Sequence, residues 1–432
     1  MEFNGQRRKD LKEAILEAYP NSEDLEVLLA EEMDIQFEAI ASGSSYNNQV
    51  FKLIEHFCSI DSLEDFINVL VKSRPKNAIF QGMSPKPIAE AVSGDRPDSP
   101  EGQMGMDSRF YIHSNYEQLC YEEVKKPGSL IRIKSPENMG KSSLMLRVLG
   151  YAEELGYRTV NINLEQVNQK FFEDLDKFMQ WFCASAGKQM GVRVKIEEYW
   201  DDIFGANDNT TDYFEKYLLK GVETPLVVAI DNFDRVFDYA RIETDFCGLL
   251  RGWHEKSRSD QLWGNLRLII VHSQESYLPR DINQSPFNVG LPIELGEFKP
   301  EQIQELVSLH RLNWKEQQLG QLIDLIGGHP YLVRLALYRI SIGDLTFEQF
   351  LKTAPTEQGI YKNHLLRHLK PLEDYPDLGK AMKTVVTSKI PVRLSSEAAF
   401  KLDSMGLVVR VENNVQPRCR LYRLYFGDRL GG

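Results

Sequence analysis

An apolar run, Leu130-Ile131-Arg132-Ile133, breaks into Ser135-Pro-Glu-Asn-Met-Gly-Lys-Ser142, and the chain resumes as the helix-like Ser143-Leu-Met-Leu-Arg-Val-Leu149. A strand that turns through Gly-Lys-Ser directly into a helix is the layout of a phosphate-binding loop. The residue types suit that chemistry. Backbone N–H groups of a tight turn and of a first helical turn point at phosphate oxygens. Gly140 lets the backbone approach closely, Lys141 neutralises phosphate charge, and the Ser142 hydroxyl completes a Mg²⁺ shell. Asn138, Met139 and Ser143 belong to the same contact stretch. Ser135, which stands where the pattern has its first glycine, is counted with them.

A second motif lies downstream. Thr224-Pro-Leu-Val-Val-Ala-Ile-Asp231-Asn-Phe-Asp234 is a short apolar run that ends in acids. A continuous Leu/Val/Ile run reads as a strand buried on both faces of a parallel sheet. Ligands of such sheets bind at the carboxyl ends of the strands, so Asp231 is expected beside the Mg²⁺.

The rest of the chain places these motifs in a multidomain protein. Its 432 residues suit two to four domains, and 42% hydrophobic with 26% charged residues suits a soluble globular protein. No apolar run approaches the ~20 residues of a membrane span, and the N-terminus lacks a signal-peptide core, so a cytoplasmic protein without membrane contact is expected. The cysteines Cys58, Cys120, Cys183, Cys247 and Cys419 are scattered without Cys-x-x-Cys spacing and read as buried thiols. His364 and His368 are four apart but lack an evident acidic or cysteine partner, so no metal site is expected there.

Residues 1–80 read as a small all-α bundle, with apolar residues at helical spacing and N-cap residues at Asn21-Ser22 and Asp61-Ser62; Ala41 to Asn48 reads as a loop. Residues 81–107 are rich in Pro, Gly and Ser and read as a linker. From 108 to 295 strands (130–134, 158–164, 225–231, 266–272) alternate with helices (141–155, 168–188, 241–256), the pattern of a doubly wound parallel sheet. One strand is expected between the loop strand and the acidic strand. Residues 296–355 read as a helical lid. Residues 356–432 read as a winged helix, with a helix from Ser396, a strand at 406–411, a turn, and a strand at 419–426.

Several stretches carry a family resemblance: Phe110-Tyr-Ile, Gly128-Ser-Leu-Ile-Arg-Ile-Lys, Met139-Gly-Lys-Ser-Ser-Leu, Asp281 to Leu291, and Gly327-Gly-His-Pro-Tyr-Leu. Through them residues 108–430 resemble the AAA-like domain family of bacterial signalling proteins, which belong with the STAND-type P-loop ATPases. Residues 6–75, through Gln6-Arg-Arg, Ala14-Ile-Leu and Phe51-Lys-Leu-Ile-Glu, resemble the effector-associated, death-domain-like adaptors of bacterial conflict systems. The resemblance implies a switch that binds ATP and Mg²⁺. By it, Lys141 and Ser142 hold phosphate and metal, Asp231 holds the metal, and Ser273 senses the terminal phosphate. Pro330 brings a helical lid to the nucleotide, and Tyr111 lines the base pocket. The chain departs from the family at Asn232, where a water-polarising glutamate is common, and at Ser114, near a common arginine. Asp234 is the remaining candidate base, and hydrolysis is expected to be slow or absent.

The leading reading is a switch that recruits an effector protein through residues 1–80, with self-association as a further option. The alternative is a DNA-binding ATPase. Net charge is −12, against bulk attraction to nucleic acid, but residues 381–432 carry 9 Lys/Arg against 4 Asp/Glu, among them Arg410, Arg418, Arg420 and Arg423. Residues 1–80 are acidic, with 8 Lys/Arg against 15 Asp/Glu, so the two ends could attract each other or face different partners.

Overall fold

The computed structural model describes residues 5–33, 35, 37, 40, 45–59, 63–74, 80, 97–220, 224–273 and 286–431. The chain divides into two units, Met1–Arg96 and Pro97–Gly432.

In the first unit, helices α1 (Gly5–Ala18), α2 (Ser22–Met33), α3 (Tyr46–Ser59) and α4 (Leu63–Ser73) surround one core. Leu11 and Ile15, Leu25 and Leu29, Leu53 and Phe57, and Phe66 and Leu70 are buried pairs four residues apart, the spacing that puts side chains on one helical face. Phe57 stacks on Phe66 at 4.4 Å. Asn21 caps α2 by accepting from the Asp24 N–H at 3.0 Å. The stretch 41–48, expected as loop, already contains the start of α3, where the Tyr46 hydroxyl donates to the Tyr19 carbonyl at 2.7 Å. The expected cap at 61–62 and residues 81–96 of the expected linker lie outside the described residues.

In the second unit, β1 (Leu130–Lys134), β2 (Arg158–Asn163), β3 (Leu226–Asp231), β4 (Leu266–His272) and β5 (Leu291–Glu294) form a five-stranded sheet in the order β2-β3-β4-β1-β5. Every neighbouring pair is parallel. In the chain, β2 comes between the loop strand and the acidic strand. In the sheet it is β4 that separates them, and β2 lies outside β3. The strands alternate their side chains between two apolar layers. Ile131, Ile133, Val227, Ala229, Ile269 and Val271 pack on α5 (Asn115–Val124) and α6 (Lys141–Glu154). Val228, Ile230, Leu268 and Ile270 pack on α7 (Leu175–Gln189) and α8 (Ala240–Lys256). β3 and β4 are buried along their whole length, which explains their apolar runs at 226–230 and 268–271.

Some local readings change. The helix expected over 168–188 starts later, because the Asn163 and Asn168 side chains cap two short 3₁₀ turns and Asp174 then caps α7 from the Lys177 N–H at 3.1 Å. Residues 97–107, expected as linker, belong to the second unit. The stretch 419–426, expected as a strand, instead runs from residue 420 in a C-terminal helix (Arg420–Gly431), whose Leu421, Tyr422, Tyr425 and Phe426 are buried at helical spacing. The β-prone aromatics of that stretch obscured the period. The strand that pairs is β7 (Asn414–Pro417), antiparallel to β6 (Val408–Val411), with Val392 bridging Val415 at its other edge.

The helices from Pro300 onward share one core that runs from Ile303 to Phe426 and takes in Phe110 and Ile112. The boundary expected at 355/356 falls inside this core, which also carries α9 (Pro330–Ser341) and α10 (Lys362–Asp374), whose Pro330, Arg334, Arg367 and His368 line the cavities beside the sheet.

Candidate functional site

Because the strands are parallel and in register, β1, β3 and β4 end together, at Lys134, Asp231 and His272. Beyond those ends lies a cleft of about 810 Å³, lined by Gly140, Lys141, Ser142, Asp231, Asp234 and Ser273. The loop from β1 to α6 has two left-handed residues, Asn138 (φ +62°) and Gly140 (φ +94°), the second being the N-cap of α6. A left-handed N-cap favours glycine, and the space a Cβ would take at Gly140 is open. The first-turn N–H groups of α6 therefore face an accessible hollow.

Lys141 opens α6 and is only 9% exposed. Its ammonium donates to the Pro136 carbonyl at 2.8 Å and the Ser273 hydroxyl at 2.9 Å, both neutral oxygens. Burial pushes it down to about 8, against the attraction of Asp234, Glu137 and Asp231. A buried cation bonded only to neutral groups suits a site completed by an anion. Asp231 is 2% exposed and accepts the Asn232 N–H at 2.9 Å. Its donor set, a buried carboxylate across the cleft from the Ser142 hydroxyl, is the oxygen chemistry a magnesium ion takes.

Asn232 is left-handed (φ +55°), and its side-chain amide donates to Asn163 Oδ1 at 2.8 Å. Asp234 lies on the same cleft and accepts the Ser273 N–H at 2.9 Å to each oxygen. Asp234 and Lys141 thus grip Ser273 from two sides.

A second cavity of about 560 Å³ shares Asn138, Gly140 and Ser143 with the first and continues past Tyr111, Met139, Pro330 and Arg334. The Arg147 guanidinium lies 3.3 Å from the Tyr111 ring centroid and fixes that wall. The structure therefore brings Asn138, Met139, Gly140, Lys141, Ser142, Ser143, Asp231, Asp234, Ser273, Tyr111 and Pro330 around two adjoining hollows. Ser135 is not among them. It is 1% exposed, and its hydroxyl donates to the Leu295 carbonyl at 2.9 Å, tying the loop to the end of β5 instead of facing the cleft. Ser114 caps α5, with Glu117 accepting its N–H at 2.9 Å.

Several lining residues had no motif to announce them. Asn163 ends β2, Arg367 and His368 come from α10, and Gln103 comes from the stretch read as linker. Only the carboxyl-end rule for parallel strands could have singled out Asn163. The four C-terminal arginines singled out by the sequence each have a partner within the chain. Arg410 pairs with Asp403 at 2.9 Å, Arg418 with Glu297 at 3.2 Å, and Arg420 with Asp324 at 2.6 Å, while Arg423 donates to the Val386 carbonyl at 3.0 Å.

The family model for an AAA-like domain matches residues 99–428. The chain belongs to the AAA-like domain family. Its AAA-like domain follows a segment, residues 1–86, that matches the model for effector-associated domain 1. The Walker-type ATPase of Pyrococcus abyssi is similar in structure, with a TM-score of 0.50 at 13% identity, over 73% of this chain and 96% of that one. The ORC2 protein of Aeropyrum pernix, solved in ADPNP and ADP complexes, has a TM-score of 0.44 at 15% identity, over 76% of this chain and 96% of that one. DnaA from Aquifex aeolicus with AMPPCP has 0.37 at 15% identity, over 67% and 78%. At these identities the first likeness speaks to the fold of the AAA-like domain alone. No curated protein matches the chain.

Proposed function

We propose that this AAA-like protein is a nucleotide-controlled switch that binds ATP with Mg²⁺ and hydrolyses it slowly or not at all, and that its effector-associated domain recruits an effector protein. The observation that carries the reading is Lys141, a buried ammonium at the start of α6 whose bonds go to neutral oxygens. Lys141 and the N–H groups from Gly140 to Ser143 would hold phosphates, and Ser142 with Asp231 would hold the metal, which supplies positive charge to phosphate oxygens when bound. Tyr111, Met139 and Pro330 would enclose the base.

Weak hydrolysis is supported by Asn232, an amide that cannot accept a proton from water. Asp234, the remaining candidate base, already accepts the Ser273 N–H. Recruitment is supported by the match of residues 1–86 to an effector-associated domain. The DNA-binding alternative is weakened at Arg418 and Arg423, which are tied to Glu297 and to the Val386 carbonyl, whereas Arg410 and Arg420 form exposed pairs that a phosphate could replace.

Titration calorimetry tests the central claim. Magnesium–ATP should bind the wild-type chain and not Lys141→Ala; a wild-type chain that takes up no nucleotide ends the proposal. Phosphate release should stay near background and rise in Asn232→Glu. Wild-type turnover like that of an active ATPase would remove the slow-hydrolysis part. A protein captured by the full chain, and lost when residues 1–80 are deleted, would support recruitment.

A further inference from the structure

Residues 97–106 run across the mouth of the cleft as a strap tied at both ends. Arg334, on α9, donates from Nη2 to the Asp98 carbonyl at 3.2 Å. Arg147, on α6, donates from Nη2 to the carbonyls of Gly105 at 3.2 Å and Met106 at 3.4 Å. Both guanidinium residues are 4% exposed, so the ties are built into the interior. Between them the Met104 N–H donates to Ser143 Oγ at 3.1 Å, one residue past the Ser142 hydroxyl. The Gln103 side-chain amide donates to Asp231 Oδ2 at 3.4 Å. Gly102, left-handed at φ +74°, lines both cavities.

We infer that Gln103 is a residue of the nucleotide site and that its amide competes with the metal for the Asp231 carboxylate, so that docking of the strap and binding of magnesium–nucleotide oppose each other. The inference rests on the nucleotide-binding reading above. Asp231 is buried, its Oδ1 accepts the Asn232 N–H, and its Oδ2 accepts Gln103. Gln103 lines the same cleft and its amide stands 3.4 Å from Oδ2, in the space that a cation held by that oxygen would need with its shell of water and phosphate oxygens, so the docked amide and the metal compete for position. Linkage then runs both ways: a docked strap weakens magnesium–nucleotide binding, and magnesium–nucleotide loosens the strap by the same factor. A nucleotide without metal meets Lys141 and the loop N–H groups and does not contend with Gln103. The strap directly continues the chain from residue 96, where the first unit ends.

The test uses the full chain, wild type and Gln103→Ala. Gln103 is exposed, so its truncation leaves the core intact. ATP is titrated in magnesium and again in EDTA, and hydrogen exchange is followed in peptides spanning 97–106. Gln103→Ala should tighten magnesium–ATP binding by about fivefold, the weight of one hydrogen bond, and leave binding in EDTA unchanged. Exchange in the strap should rise when wild type binds magnesium–ATP, and should be higher in ligand-free Gln103→Ala than in ligand-free wild type by up to about fivefold. Equal or weaker magnesium–ATP binding by Gln103→Ala, or strap exchange indifferent to magnesium–ATP, overturns the inference while leaving nucleotide binding standing. A wild-type chain that binds no ATP in either medium defeats the nucleotide reading and this inference with it.

Discussion

At the scale of single residues, the candidate site rests on one cation and one acid. Lys141 is held by neutral oxygens in a buried position, and burial brings its ammonium down to about 8. A bound anion stabilises the charged form, so nucleotide binding above that pH must take up a proton. The apparent affinity for magnesium–ATP should therefore fall as pH rises past 8, by about tenfold per pH unit at the limit. Calorimetry in buffers of different ionisation enthalpy would register the proton. An affinity that stays flat from about pH 7 to pH 9 would mean that the free Lys141 remains charged. Gly140, Lys141, Ser142 and Asp231 were legible in the sequence because strand, turn and helix start fix their placement locally. Gln103 was not, because its partner Asp231 lies 128 residues away and its neighbours read as linker.

At the scale of elements, periodicity located the long strands and helices and failed where an element is short or its residues suit two periods. β5 is four residues long and contains Pro292, so nothing in its pattern marks a strand; it forms because the free edge of β1 accepts it. Its entry turns on Gly290, at φ +72°, where an added Cβ would stand 2.2 Å from the Leu130 carbonyl oxygen. Gly290→Ala should destabilise the protein by well over ~1 kcal/mol, since backbone strain and a backbone clash add. Gly343→Ala is the control, for Gly343 has φ +81° with nothing within 4 Å of the added Cβ. Denaturant midpoints should drop more for Gly290→Ala. Equal drops would show that β1 yields to the extra atom. The C-terminal helix (Arg420–Gly431) makes the complementary point. Its Leu-Tyr-Arg-Leu-Tyr-Phe run favours a strand locally, and burial of four side chains against the shared core decides for a helix.

At the scale of the whole molecule, burial of ionisable groups sets a pH limit on stability. His310, His329, His364 and His368 lie in or beside the large C-terminal core, where burial lowers them to about 4, 3, 2 and 4. The unfolded chain takes up these protons near pH 6.5, and the folded chain does so only well below it. Stability is thus complete above about 6.5 and is lost as pH falls, with a slope of up to ~1.4 kcal/mol per pH unit for each histidine. Denaturation midpoints followed from neutral pH down to about pH 5 should decline, and His364→Asn should flatten the decline. A midpoint constant over that range would show that the four rings find protons or water in the folded state. The sequence by itself determined that the AAA-like domain has a parallel sheet with a strand–turn–helix loop facing an acid, and that a helical unit precedes it. Those features follow from local backbone chemistry and from apolar periodicity along a few residues. The tertiary structure alone decided that β4 separates the loop strand from the acidic strand, that the four C-terminal arginines have carboxylate and carbonyl partners within the chain, and that a stretch of linker-like composition straps the cleft. Each of these depends on contacts between distant residues, whose energies arise only when the whole chain closes around its cores.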